Sequence, residues 1–331
     1  MQLSLIVPVY NRPDEVEELL ASLLAQQRAP YEVILVEDGS TRPSREVARA
    51  YEDRLPLRYF EKPNSGPGLS RNYGAQRAQG RYYVFLDSDC VLPPGYLAAL
   101  AAFLAEHPQT DVFGGPDRAR ADFSPIQKAI NYSMTSFLTT GGIRGGKRQM
   151  EKFHPRSFNM GLSRRAFEAT GGFSAMRFGE DIDLSIRLRA GGFSTALIPG
   201  AFVYHKRRST FRQFFKQIFN SGVARINLQL KHPGTLRLVH LFPFVFALGW
   251  AMALLGLLAG WPWLAGAYLL YLLAIFTHST LLNRSLRVGL LSVVSSFIQL
   301  TAYGWGFAYA AWKRWVLGRG AFASFERSFY D

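Results

Sequence analysis

The chain has 331 residues, and 48% of them are hydrophobic, so it can bury a large core. Its net charge of +14 is concentrated towards the carboxyl end: residues 206–331 hold 14 Lys and Arg against two acids, whereas residues 1–205 hold 24 basic and 22 acidic side chains. The single cysteine, Cys90, excludes an internal disulfide and is typical of a reducing compartment. Long apolar runs between the basic residues favour anionic membrane lipids over nucleic acid as partners.

The first part of the chain alternates between predicted strands and predicted helices. Short apolar runs with β-forming residues predict strands at 3–7, 31–36 and 57–60. Residues 14–26 carry leucines at helical spacing, and residues 43–51 also read as a helix. This order is typical of an α/β fold with a mostly parallel, doubly wound sheet and flanking helices.

Acidic residues follow two of the predicted strands. Asp38 follows the second strand, and the apolar run Val84–Leu86 ends in Asp87-Ser88-Asp89. Because the carboxyl ends of parallel strands meet at one edge of the sheet, these carboxylates should share one crevice. Two hard oxygen donors there suit Mg²⁺ or Mn²⁺, held together with phosphate oxygens. An ordinary polar turn after a strand is the alternative.

A glycine-rich stretch, residues 64–74, lies between those aspartates. Ser70 could begin a helix, and the amino end of a helix favours anions. Arg71 would then lie in the first turn, where its guanidinium could bind a diphosphate with two hydrogen bonds. The alternative is an ordinary loop with a surface arginine.

Four segments occur in an order that resembles family 2 glycosyltransferases: Pro8-Val9-Tyr10-Asn11, Glu37-Asp38-Gly39-Ser40, Ser70-Arg71-Asn72-Tyr73-Gly74 and Asp87-Ser88-Asp89. That family has the GT-A fold and uses nucleotide-sugar donors. The resemblance implies that the donor-binding residues hold the nucleotide base, ribose and phosphates; they are Pro8, Tyr10, Asn11, Asp38, Arg71 and Asp87. It also implies that Asp87 and Asp89 bind the metal. Glu37 stands where many members have Asp.

A second group of acids begins a predicted helix, in Gly179-Glu180-Asp181-Ile182-Asp183-Leu184. Acids in the first turn favour the helix dipole and need no chemistry. The segment also resembles the acceptor-side motif of the family. That resemblance implies that Asp181 is the general base for the acceptor hydroxyl and that Glu180 orients it or contacts the acceptor.

His205 follows a predicted apolar strand at 195–204. In several enzymes of the family that this chain resembles, a histidine at this place ligates the metal or contacts the diphosphate. The next residues, Lys206, Arg207 and Arg208, could stabilise the leaving diphosphate. A basic cluster close to a membrane is the alternative, and the two interpretations are compatible.

The rest of the chain contains long apolar segments. Residues 211–226 have one apolar face, which predicts a helix in the membrane interface or, alternatively, a helix packed on its own domain. Three runs lack Lys, Arg, Asp and Glu and are long enough to cross a bilayer: 238–260, 263–282 and 288–312. Three full spans would place the basic residues after 312 outside, against the positive-inside tendency, so one re-entrant segment is the alternative.

The sequence therefore predicts a multi-pass inner-membrane protein in three parts: a GT-A domain (1–205), a basic amphipathic segment (206–237) and a membrane domain (238–331). With no basic leader before the first apolar run, we expect the catalytic domain in the cytoplasm.

The resemblance implies transfer of a sugar, with inversion, from a nucleotide diphosphate sugar to a lipid-linked or saccharide acceptor, in cell-surface polysaccharide or glycolipid synthesis. Nucleic acid is not an expected partner. A nucleotidyltransferase is an alternative, although it would want a glycine-rich basic loop directly after the first strand. The second alternative is a non-catalytic membrane scaffold that binds a nucleotide.

Overall fold

The computed structural model describes residues 3–26, 31–141 and 153–320. The chain divides into two compact units, the first made of residues 1–120 and 143–206, the second of 121–142 and 207–331. The predicted boundary after residue 205 is displaced by one residue. Residues 121–142, expected in the catalytic domain, belong instead to the second unit. The apolar side chains of Ile130 and Met134 explain this, because they are buried with Phe214 and Ile218.

Strands form the centre of the first unit. They are β1 (Leu3–Val9), β2 (Tyr31–Asp38), β3 (Leu57–Lys62), β4 (Tyr82–Leu86), β5 (Cys90–Val91), β6 (Val112–Gly114), β7 (Asp117–Arg118), β8 (Asn159–Ser163), β9 (Thr195–Leu197) and β10 (Val203–His205). The strand predicted at 195–204 is wrong, because β9 and β10 belong to different sheets. A turn at residues 199–201 separates them.

The helices lie in both units. They are α1 (Pro13–Leu24), α2 (Arg45–Arg49), α3 (Pro67–Ala75), α4 (Tyr96–Glu106), α5 (Pro125–Thr135), α6 (Phe137–Thr140), α7 (Arg164–Thr170), α8 (Glu180–Ala190), α9 (Phe211–Lys231), α10 (Phe242–Leu258), α11 (Trp263–Asn283) and α12 (Leu286–Ala311). The first unit holds α1–α4, α7 and α8, and the second holds the others.

The main sheet has the order β3-β2-β1-β4-β8-β6-β9. The strands β3, β2, β1 and β4 are parallel, β8 is antiparallel to β4 and β6, and β9 is parallel to β6. A smaller sheet has the order β5-β10-β7. The predicted α/β architecture with a mostly parallel sheet is therefore confirmed, and the residues that follow β1, β2 and β4 meet at one edge.

Both faces of the parallel sheet are covered by apolar side chains. Leu5, Val7 and Leu35 belong to one buried cluster, whereas Ile6 and Ile34 belong to another. Successive residues of a strand point to opposite faces, so a strand buried on both sides needs an uninterrupted apolar run. This explains the runs that revealed the strands, and each fully buried aliphatic side chain contributes about 1.5–3 kcal/mol.

In the second unit, α12 is the helix on which the others pack. A Cβ added at Gly306 would lie 2.1 Å from the carbonyl oxygen of Phe219, so α9 and α12 approach at backbone distance. The apolar face of α9 is buried there, with Val223 and Ile226 beside Phe307. The helix α9 thus packs on its own unit, as the second of the two interpretations of residues 211–226 expected.

Two helical stretches of the described chain, Trp263–Asn283 and Leu286–Val316, are long and apolar enough to cross a membrane. The first predicted run, 238–260, yields only the 17-residue helix α10. Length and composition also suit the core helix of a large soluble protein. However, only 11% of the most apolar part of α11 is buried, against 39% for the stretch that contains α12. The helix α11 therefore presents mostly apolar side chains to its surroundings.

Candidate active site

Asp87, Asp89 and His205 meet at the carboxyl edge of the main sheet, as the sequence predicted. Asp87 and Asp89 follow β4, and the pairing of β10 with β5 sets His205 opposite Cys90. The Nε2 atom of His205 lies 3.2 Å from Asp89 Oδ1 and 4.0 Å from Asp87 Oδ2. The imidazole stacks on the ring of Phe158 at 4.7 Å between centroids, which holds its plane towards the two carboxylates.

Arginines engage the other oxygen of each aspartate. Arg71 donates to Asp87 Oδ1 at 2.6 Å, and Arg12 donates to Asp89 Oδ2 at 3.2 Å. Each carboxylate is therefore fixed on one side by a cation and turned towards His205 on the other. Arg12 was not identified from the sequence, since a single arginine in a turn carries no distinctive pattern.

The donor atoms near His205 suit a divalent cation. The ligand atoms of Asp89, Cys90 and His205 all lie within 4.8 Å of one another. Burial raises the pKa of the Cys90 thiol well above its ordinary value, and the thiol contacts the carbonyl oxygen of Phe158 at 3.5 Å. A neutral thiol is a poor ligand, whereas carboxylate oxygen suits Mn²⁺ or Mg²⁺ and imidazole is a common metal ligand. The residues present thus fit the metal that the sequence predicted.

A further acid lies on the other side of the imidazole. Asp117 has a fully buried side chain, and its Oδ2 atom lies 3.9 Å from His205 Nδ1. Asp117 was not predicted from the sequence, because nothing in the sequence places β7 beside β10.

Asp38 is buried and holds the loop that follows β3. Its carboxylate accepts hydrogen bonds from the backbone N–H groups of Ser65 at 2.9 Å and Gly66 at 2.8 Å, and it also contacts the ammonium of Lys62. This loop-holding role was not foreseen. Contact of Asp38 with a nucleotide base or ribose stays a prediction.

Asn11 joins the turn after β1 to the turn after β2. Its backbone N–H donates to Ser40 Oγ at 2.7 Å, and its side-chain Oδ1 accepts from the N–H groups of Thr41 at 2.8 Å and Arg42 at 2.9 Å. Two other residues predicted to bind the donor lie close by in sequence. Pro8 is the penultimate residue of β1, and half-buried Tyr10 directly follows that strand. These residues therefore lie at the same edge as Asp38, and their contact with the donor stays a prediction.

Glu180 and Asp181 occupy the first turn of α8, where the sequence placed them. Glu180 is buried and accepts from Arg71 at 3.0 Å. Burial and, secondarily, the charge of Asp181 raise the pKa of Glu180 to about 7, although Arg71 opposes this. Asp181 Oδ2 lies 3.7 Å from Arg156, a residue that the sequence analysis did not identify. The two neighbouring acids thus have different surroundings, and their roles in catalysis stay a prediction.

Arg71 lies in the site and bonds two carboxylates there, contacts that the sequence did not suggest. It is 2% exposed, so the alternative of a surface arginine is wrong. One terminal nitrogen of its guanidinium donates to Asp87 and the other to Glu180. The guanidinium therefore bridges the aspartates beside His205 and the acids of α8. Its contact with a donor diphosphate stays a prediction.

The basic residues after His205 are divided between the two units. Lys206 belongs to the first unit and donates at 2.6 Å to Glu18 on α1, whose other carboxylate oxygen lies 3.6 Å from Arg120. Arg207 and half-buried Arg208 belong to the second unit, where Arg207 donates to Asn131 Oδ1 at 2.9 Å. Their predicted role at a diphosphate stays a prediction.

The family model for glycosyl transferase family 2 matches residues 4–171, which include all four segments that carried the resemblance. The chain belongs to glycosyl transferase family 2. The resemblance inferred from the sequence is therefore confirmed. Membership in this family also argues against a nucleotidyltransferase.

Curated relatives of this family 2 chain match only part of it. TuaG of Bacillus subtilis strain 168, a glycosyltransferase provisionally assigned to teichuronic acid biosynthesis, is 36% identical over 131 residues, which are 39% of this chain and 52% of TuaG. The poly(ribitol-phosphate) beta-N-acetylglucosaminyltransferase TarS of Staphylococcus aureus strain Mu50 is 36% identical over 111 residues, 32% of this chain and 19% of TarS. The chain thus spans about half or less of the length of these relatives.

Solved structures share the fold of this family 2 chain. The mannosyltransferase PcManGT of Pyrobaculum calidifontis, in complex with GDP-Man and Mn²⁺, superposes with a TM-score of 0.61 at 17% identity, covering 89% of this chain and 86% of that one. Residues 1–349 of S. aureus TarS with UDP-GlcNAc give a TM-score of 0.50 at 22% identity, covering 69% and 67%. At this identity, the likeness establishes a GT-A-like fold.

Proposed function

We propose that this chain transfers a sugar from a nucleotide diphosphate sugar to a hydroxyl group, with inversion at the anomeric carbon. The observation that carries the proposal is the meeting of Asp87, Asp89 and His205 at the carboxyl edge of the sheet, joined through Arg71 to the acids of α8. One half of this arrangement suits a diphosphate with its cation, and the other suits an acceptor. Solved structures of similar fold in complex with UDP-GlcNAc and with GDP-Man support a nucleotide-sugar donor.

Asp87, Asp89 and His205 would hold a divalent cation, Mn²⁺ or Mg²⁺. Their facing oxygen and nitrogen atoms support this assignment, as does the Mn²⁺ complex of PcManGT. Such an ion, when bound, neutralises negative charge on a departing diphosphate. The protein's own part is to fix the carboxylates, which Arg12 and Arg71 do from the side away from His205.

Asp181 would take the proton of the acceptor hydroxyl. Its Oδ1 atom accepts from the N–H group of Ile182, and its Oδ2 atom lies 3.7 Å from the guanidinium of Arg156. These two contacts fix the carboxylate at the start of α8, and a general base has to be held in place beside the hydroxyl that it deprotonates. Glu180 is buried and accepts a hydrogen bond from Arg71. In this proposal Glu180 orients Asp181 and does not itself act as the base.

The acceptor would be lipid-linked, and the product would belong to a cell-surface polysaccharide or glycolipid. The exposed apolar side chains of α11 support a membrane location, since Trp263 is 85% and Leu269 58% exposed. The provisional assignment of TuaG to teichuronic acid biosynthesis supports a polysaccharide pathway. In this proposal the first unit faces the cytoplasm. Reporter fusions after residue 205 and after Trp261 should then report opposite sides of the membrane; the same side for both would mean that 238–260 does not span it.

The test of the activity is a donor panel. The purified full chain in detergent would receive UDP-GlcNAc, UDP-glucose or GDP-mannose, each with MnCl₂ or with EDTA, and a membrane lipid extract. We expect release of UDP or GDP, and sugar incorporation into lipid, with one donor and only in the presence of Mn²⁺. The same release from Asp181→Asn with lipid present would show that the signal does not come from this site. No release from any donor would contradict the proposal.

A further inference from the structure

One side chain of α3 clamps the segment that leads to the acids of α8. The amide nitrogen of Asn72 donates to the carbonyl oxygen of Phe173 at 2.7 Å, and its Oδ1 atom accepts from the N–H group of the same residue at 2.8 Å. Both backbone groups of Phe173 are thus satisfied by one amide, which fixes position and orientation together. Phe173 lies seven residues before Glu180 in sequence.

The first turn of α3 lies against the same segment. A Cβ added at Gly68 would lie 3.0 Å from the carbonyl oxygen of Ser174 and 3.4 Å from Glu180 Cγ. Only a residue without a side chain allows this approach without displacing a neighbour. The aliphatic part of the Glu180 side chain therefore packs against α3, and its carboxylate accepts a hydrogen bond from Arg71.

Arg71 lies between Gly68 and Asn72 and faces both halves of the site. Its guanidinium carbon lies 5.3 Å from the ring centroid of Phe173, and its terminal nitrogens bind Asp87 and Glu180. The side chain is 3% exposed, so it has little freedom to move. Asp87 and Glu180 come from elements far apart in sequence, and α3 contacts both.

We propose that Arg71 and Asn72 are positioning residues, which set Glu180 and Asp181 at a fixed distance from Asp87. This inference rests on the proposed function. Misplacement of a reacting group by about 1 Å can lower a rate about 100-fold. Since Asn72 bonds the acceptor-side segment alone, its loss affects the transfer step and leaves the binding of the nucleotide intact. The assignment differs from the role at the diphosphate that the resemblance implies for Arg71.

The chain supplies a matched control in Asn64. Its amide nitrogen donates at 2.8 Å to the carbonyl oxygen of Asp38, so it clamps a backbone group on the opposite, donor-side loop. Asn72→Ala should lower the kcat of transfer about 100-fold, while the Kd of UDP or GDP with Mn²⁺ changes less than twofold. Asn64→Ala should do the reverse, raising that Kd several-fold with kcat nearly unchanged. Arg71→Lys, whose ammonium cannot bond both carboxylates as the guanidinium does, should lower kcat as Asn72→Ala does and should also raise that Kd, because Arg71 fixes Asp87 as well as Glu180.

Hydrogen exchange on the full chain adds a readout that does not depend on turnover. In Asn72→Ala the backbone amides of residues 173–184 should exchange at least tenfold faster, with residues 64–66 unchanged; Asn64→Ala should give the opposite pattern. If Asn72→Ala does not fold, Asn72→Asp, which keeps the acceptor and loses the donor, takes its place.

Unchanged kcat and exchange in the Asn72 variant would overturn the inference. A raised nucleotide Kd with normal kcat would overturn it too, and would restore a donor role for α3. Absence of transfer by the wild-type chain would refute the proposed function instead. In that event the exchange pattern alone decides whether α3 positions the acids.

Discussion

The raised pKa of Glu180 makes the stability of the first unit depend on pH. Its carboxyl group titrates near pH 4.5 when unperturbed and at about 7 in the folded protein, mainly because it is buried. Between these values the folded chain keeps a proton that the unfolded chain releases. Stability therefore falls as the pH rises through this window, by linkage. Glu180→Gln removes the titration while retaining an oxygen that can accept from Arg71.

The size of the effect follows from the shift. One pKa unit corresponds to about 1.4 kcal/mol, so the contribution of this group changes by roughly 2–3 kcal/mol between pH 5 and pH 8. For a unit of this size, 1 kcal/mol moves the melting temperature by about 2–4 °C. The melting temperature of Glu180→Gln, relative to wild type, should thus be roughly 5–10 °C higher at pH 8 than at pH 5.

The measurement is thermal unfolding of the full chain in detergent, followed at several pH values for wild type and variant in parallel. Glu46→Gln is the control for loss of a surface charge, because the Glu46 side chain is 82% exposed. A difference between Glu180→Gln and wild type that stays constant from pH 5 to pH 8 would refute the argument. It would mean that Arg71 keeps Glu180 ionised throughout.

Other outcomes follow from the site and the packing. Asp181→Asn should keep the affinity for the nucleotide sugar and lower transfer about 100-fold, measured by calorimetry beside a transfer assay; transfer at the wild-type rate would exclude it as the base. Asp89→Ala should abolish Mn²⁺ binding, and an unchanged Mn²⁺ titration by electron paramagnetic resonance would contradict the metal assignment. Gly306→Val should destabilise the second unit by more than the roughly 1–3 kcal/mol of ordinary overpacking, because a Cβ there would lie 2.1 Å from a carbonyl oxygen. Gly266→Val is the control, since no atom lies within 4 Å of a Cβ at that position, and it should change the melting temperature little.

Local patterns in the sequence predicted the elements that form the site. The apolar runs before Asp38 and Asp87 identified β2 and β4, and the rule that parallel strands end at one edge brought their acids together. His205 was found through family resemblance, since its pairing opposite Cys90 joins residues 115 positions apart. Motif and topology together thus predicted that Asp87, Asp89 and His205 belong to one site, and their binding of a metal stays a prediction.

Contacts between distant segments were not predictable in this way. The burial of Arg71 depends on Phe173 and Glu180, which lie over 100 residues further along the chain. Likewise, residues 121–142 looked like a continuation of the first domain, because a short amphipathic helix does not reveal which unit will bury its apolar face. Asn72 belongs to a segment that carried the family resemblance, but nothing in that segment indicated its bonds to Phe173.

The carboxylate of Glu18 on α1 receives both Arg120 and Lys206, the last residues of the first unit at two of the places where the chain passes to the second. Both of these residues thus pair with one side chain, that of Glu18 on α1. Because one carboxylate pairs with the last residue of both segments of the first unit, the second unit could be replaced without removing either ion pair. Splice junctions at 120/121, 142/143 and 206/207, the three places where the chain passes between the units, would let a different helical module be grafted while the residues that fix Asp87, Asp89 and Asp181 stay untouched.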